Sequence, residues 1–60
     1  MNSKTLGEML KENSADFVSL IKGTMTITHV KGNSINEDTV VQLGDKVFVR
    51  KGKKLTEETI

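Results

Sequence analysis

The sequence predicts a small α+β unit, an N-terminal amphipathic helix followed by a three-stranded antiparallel sheet (α-β-β-β), in one domain over residues 1–60. Three observations carry that reading. Thr5-Leu6-Gly7-Glu8 opens a helical apolar pattern, Thr24 to Val30 alternates strictly, and two β-branched runs flank Gly44-Asp45. A domain of this length buries only about 60% of the surface its unfolded chain exposes. With no cysteine, it has neither a disulfide nor a thiolate zinc site to brace it. The expected remedy is a homo-oligomer, a dimer by default because closed two-fold symmetry is commonest.

Taking the elements in order, residues 1–4 are expected to fray, and Thr5 and Glu8 have the spacing of a capping box. From there to Lys22 the apolar positions are Leu6, Met9, Leu10, Phe17, Val18, Leu20 and Ile21, and all but Val18 fall on one helical stripe. Lys22 and Gly23 supply a stop. Leu6, Leu10, Asn13, Phe17 and Leu20 also follow the spacing of a heptad seam, in which Asn13 would meet its counterpart in another copy and set the register. Two other readings stand beside it. Asn13-Ser14 would break the helix and cap a second one from Ala15 to Lys22, or the helix would lie across a sheet with Asn13 at the edge.

Thr24 to Val30 reads as a half-buried strand, with Met25, Ile27 and His29 on one side and the threonines on the other. Lys31-Gly32-Asn33-Ser34 is turn chemistry, Ile35 tucks back towards the core, and Asn36-Glu37-Asp38 is a polar loop. Thr39-Leu43 and Lys46-Arg50 then form a hairpin around Gly44-Asp45, since Gly takes the positive φ that a two-residue loop needs. In that register Val41, Leu43 and Phe48 share one face, with Lys46 and Arg50 at its rim, and Val40, Val47 and Val49 share the other. Both faces are apolar, and one helix covers only one of them. The expected surface between copies is therefore Leu6, Leu10, Asn13, Phe17, Leu20, Val40, Val47 and Val49. Residues 55–60 are expected either to form a short helix capped by Thr56 or to fray.

Nine Lys/Arg against eight Asp/Glu leave the net charge near zero, so no global field favours nucleic acid or membrane. Apolar runs are far shorter than the ~20 residues a membrane helix requires, and the N-terminus lacks a signal-peptide pattern. A cytoplasmic protein is expected. His29, the only histidine, has no nucleophile or orienting carboxylate paired with it by the sequence, so its expected role is structural. Glu37-Asp38, Asp45 and Glu57-Glu58 lack the spacing of a cation loop and read as solvated carboxylates. No catalytic residue, metal ligand or cofactor is expected.

The basic cluster carries more. Lys46, Arg50, Lys51, Lys53 and Lys54 include five of the nine cations, and Lys46, Phe48 and Arg50 alternate on one face, which places a ring between two positive charges. That arrangement suits stacked bases and phosphates, but with two Phe as the only aromatics the surface would be thin, and a core would claim Phe48. Lysines also protect sheet edges.

Val30-Lys31-Gly32-Asn33-Ser34-Ile35, followed by Leu43-Gly44-Asp45-Lys46-Val47-Phe48-Val49, resembles the G-x-S-M … G-D-x-V-x-V pattern of self-cleaving repressors related to signal peptidases. In that family the serine is the nucleophile and a lysine on a later strand is its base, which would map the nucleophile onto Ser34. Ile35 replaces the family's Met, and the sequence ends before that later strand could be built, so catalysis is not carried over. The functional expectation is a small non-enzymatic, homo-oligomeric interaction or regulatory protein of the kind bacteria, phages and plasmids encode, acting on a macromolecular partner. The alternative is a nucleic-acid-binding module using the basic C-terminal hairpin.

Overall fold

The structure is a computed structural model that describes residues 4–60. It is an α+β unit with one short helix and two antiparallel sheets. The larger sheet has four strands and the smaller has two, where the sequence led us to expect three strands in all.

The helix α1 spans Leu6–Glu12 and starts as the sequence indicates. The Glu8 N–H donates to Thr5 Oγ1 at 3.2 Å, and the Thr5 N–H donates to Glu8 Oε1 at 3.1 Å. It stops ten residues early, at Glu12 rather than Lys22. Asn13 is the C-cap, and its Nδ2 donates to Met9 O at 2.8 Å. Ser14 adopts φ 50°, and the Ala15 N–H returns to Leu10 O at 2.9 Å, so the chain reverses and buries Ala15. The break at Asn13-Ser14 is therefore real, but a strand follows it rather than a second helix. Phe17 and Leu20 lie beyond the helix, so the heptad seam and its register role for Asn13 fall away.

Two strands precede and follow that reversal. β1 (Lys4–Thr5) pairs with a later strand, and β2 (Phe17–Lys22) becomes an inner strand of the four-stranded sheet. FVSLIK suits this place. Val18 and Leu20 point to the core, while Phe17, Ser19 and Ile21 point away, a period of two that the apolar run hides. β3 (Met25–Val30) follows through the two-residue loop Gly23-Thr24 and pairs with β2 from Lys22↔Met25 to Phe17↔Val30. Gly23 has φ +62°, the positive value that the first position of such a loop requires.

The loop after β3 is tied back to α1, with Leu6 N–H donating to Thr39 O and Gly7 N–H to Glu37 O at 2.9 Å. Ile35, expected to tuck inwards, is exposed. β4 (Val40–Val41) pairs with β1, not with the strand that follows. The expected hairpin over Thr39–Arg50 is thus not formed. Gly44-Asp45 is instead a local turn in which Asp45 N–H donates to Gln42 O and Asp45 Oδ2 accepts from Gln42 N–H at 3.0 Å. The reason is partner length. β5 (Lys46–Lys51) gains five paired positions on β2 and six on β6 (Lys54–Thr59), where Thr39–Leu43 would have served one side only. Residues 54–59 are a strand, neither helix nor frayed end; of the N-terminal residues expected to fray, 1–3 lie outside the described residues and Lys4 is in β1.

The strand order is β3-β2-β5-β6. Leu6, Met9 and Leu10 of α1 pack with Val18, Leu20, Val47, Val49, Ala15 and Val41 to make the core on one face of this sheet. No helix among the described residues is long and apolar enough to cross a membrane.

At the far end of β2, Lys22 Nζ meets Asp45 Oδ2 at 2.9 Å. That hydrogen bond, and then the Gln42 N–H, hold the Asp45 carboxyl below its ordinary pKa. The folded chain therefore releases this proton more readily than the unfolded one. The resulting stability is full above the ordinary carboxylate pKa and is lost as pH falls through the lowered value. Thermal unfolding followed from about pH 5 down to about pH 2 should show the melting temperature fall across that window, and Asp45→Asn should flatten the fall. An unchanged acid limb in Asp45→Asn would assign it to other carboxylates.

Candidate functional site

The alternation that sends Val18, Leu20, Val47 and Val49 inwards sends the intervening residues to the opposite face of the sheet, which no element among the described residues covers. Its two inner strands carry both aromatic residues of the protein. Phe17 on β2 lies opposite Arg50 on β5, and Phe48, two residues along β5, lies opposite Ser19. The rings are therefore diagonal neighbours, within reach of one another across an antiparallel pair. Both are half-buried, and neither belongs to the core. Ile21 is half-buried beside them, and Val30 and Leu55 are about half-exposed at the two flanks.

Cations frame the rings. Lys46 and Arg50 sit on either side of Phe48 along β5 and share its face. Arg50 Nε donates to Gly52 O at 2.9 Å, which steadies the guanidinium near Phe17. Lys46 approaches Glu57 at 3.7 Å with both side chains about half-exposed, a loose pair of small energetic weight. Glu57 lies directly opposite Phe48 on β6.

The turn at Gly52-Lys53 brings Lys51, Lys53 and Lys54 to the same end of the sheet as Arg50. Lys31 joins them, because its N–H donates to Asp16 O while the Asp16 N–H donates to Arg50 O at 2.7 Å. The Asp16 carboxylate is occupied by the Gly52 N–H at 2.8 Å. Five cations, Lys31, Arg50, Lys51, Lys53 and Lys54, thus gather at one end. Sequence reasoning found four of them and missed Lys31, whose place depends on the β2–β3 register and leaves no local signal.

The residues expected between copies divide. Leu6, Leu10, Leu20, Val47 and Val49 are buried in the chain's own core. The reason is that both Val47 and Val49 face α1, so the sheet's second apolar face is built from other residues. Asn13 is half-buried at the helix C-cap, Val40 is exposed beside β1, and Phe17 alone of the eight lies on the open face.

His29 is buried, only 4% exposed, and its Nδ1 lies 3.0 Å from Ile35 O. A carbonyl only accepts, so Nδ1 carries the proton and the ring pins the loop after β3. This loop and α1 border an open groove of about 650 Å³ lined by His29, Ser34, Glu8, Lys11 and Asp38. Among the described residues no hydrogen bond joins His29 to Ser34, and Ser34 is exposed in its turn. The carboxylates lie apart, with Asp45 on Lys22, Glu57 on the open face and Glu58 on the other side of β6. Among the described residues no three His, Cys, Asp or Glu side chains gather around a point that would hold a metal ion.

No known protein family matches the chain, and no curated protein or solved structure matches it.

Proposed function

We propose that the open sheet face is a platform for single-stranded nucleic acid, and that the chain is a small non-enzymatic binding protein. One observation carries the reading: both aromatic rings stand outside the core, diagonal to each other on the two inner strands, with Lys46 and Arg50 at their sides. One sequence argument against such a platform is that a core would claim Phe48. Val18, Leu20, Val47 and Val49 fill the core without it. Bases stack on exposed rings for about 1–3 kcal/mol each, with little regard to sequence, and phosphates follow nearby cations. Arg50 shares the rings' face, whereas Lys51 and Lys54 are turned by alternation to the helix side and stand with Lys31 and Lys53 at that same end, so a backbone leaving the rings meets them by rounding the end of the sheet. The near-zero net charge means that this attraction is local to one end.

A second reading has its own support. Phe17, Ile21, Phe48, Val30 and Leu55 share the face with Lys46, Arg50 and Glu57, which carry both signs, so two copies could meet there by a two-fold axis. This is the homo-oligomer expected from the sequence, moved to a different set of residues.

Fluorescence anisotropy with a labelled single strand separates the two when repeated across salt and combined with light-scattering mass. The platform should bind at low salt, and its affinity should fall with a log–log slope of about −0.7 for each phosphate met. Lys51→Glu with Lys53→Glu should abolish that binding while leaving the fold intact, since both residues are exposed. A parent that ignores nucleic acid at low salt, while its mass doubles with concentration, would give the face to a second copy.

A further inference from the structure

Resting on the platform reading, we infer that Glu57 selects the base stacked on Phe48, and that the preferred base is guanine. The placement follows from the turn. Lys51↔Lys54 closes a two-residue loop, Gly52-Lys53, and is therefore a hydrogen-bonded pair. Counting back along the ladder, Phe48↔Glu57 falls on a non-hydrogen-bonded pair, the positions at which opposed side chains stand closest. A base lying on the Phe48 ring has its edge over β6 within reach of the Glu57 carboxylate.

A carboxylate only accepts hydrogen bonds. Guanine presents two donors side by side on its Watson–Crick edge, N1–H and the N2 amino group, and these match the two carboxylate oxygens. Cytosine and adenine each offer a single amino group. Uracil offers one N–H between two carbonyls, whose oxygens repel the carboxylate. Next to guanine's donors stands its O6, an acceptor, and Lys46 is placed for it, 3.7 Å from Glu57 on the neighbouring strand. The Lys46–Glu57 pair thus mirrors guanine's edge, acceptor against donors and donor against acceptor. Its length and exposure make it cheap to open for a base.

The test is an affinity panel at one low salt concentration, with oligouridine and alternating U/A, U/C and U/G strands of about twelve nucleotides. The parent should bind the U/G strand about tenfold more tightly than oligouridine, with U/C and U/A between them. Glu57→Gln, an exposed and conservative change verified by circular dichroism, should level the panel without weakening oligouridine binding, since it removes the charge that uracil's carbonyls oppose. Equal affinities across the panel in the parent would overturn the guanine preference and leave the platform standing. A preference that survives in Glu57→Gln would overturn the role of Glu57. A parent that binds none of the four strands would overturn the platform and this inference with it.

Discussion

Leu20→Ala is expected to unfold this chain, whereas Phe48→Ala leaves it folded. Leu20 is fully buried on an inner strand, opposite Ile27 on one side and Val47 on the other. Truncating such a leucine removes its transfer energy and leaves a cavity, about 2–5 kcal/mol together. A domain this small rarely holds more than about 3–5 kcal/mol in all. Phe48 is the larger side chain, and by size alone it would be the costlier loss. Its ring, however, lies on the face that no other described element covers, so its removal opens no cavity among the core residues. Thermal melts by circular dichroism decide the matter. A cooperative transition retained in Leu20→Ala and lost in Phe48→Ala would mean that the two faces of the sheet are reversed.

The second large effect is on binding. Phe17→Ala and Phe48→Ala should each weaken binding of a single strand by about 1–3 kcal/mol, roughly 5- to 150-fold, and together should remove detectable binding. The salt slope measured on either single variant should match the parent, because Lys31, Arg50, Lys51, Lys53 and Lys54 are untouched. Lysine replacements change that slope, so the two classes of variant report on rings and cations separately. A double phenylalanine variant that binds as the parent does would show that bases do not stack on these rings.

Local chemistry was legible wherever it is local. The Thr5–Glu8 capping box needs only four residues, and the alternation of Met25, Ile27 and His29 needs only one strand. Gly23, read from the sequence as a helix stop, instead opens the two-residue hairpin loop Gly23-Thr24, and Gly52-Lys53 makes a second such loop where the sequence indicated only a strand end. The hairpin expected at Gly44-Asp45 does not form; there the Asp45 side chain closes a turn on Gln42 and Lys22, and Gly44 N–H donates to Ile60 O instead. The helical reading runs too far because Phe17, Leu20 and Ile21 continue the stripe of Leu6, Met9 and Leu10, while Phe17, Val18, Leu20 and Ile21 together suit a two-sided strand. Only Asn13-Ser14 marked the change.

The candidate site shows the same division. That Lys46, Phe48 and Arg50 share a face follows from strand alternation, and composition by itself set the near-neutral charge and the absence of any thiol staple. Which face the helix covers, which phenylalanine stands beside which cation, and how Lys31 comes level with Arg50 were decided by strand pairing. Side-chain direction along one strand repeats every two residues and can be read from the chain. Register between strands distant in sequence depends on the summed burial of both partners, so it exists only once the sheet has assembled.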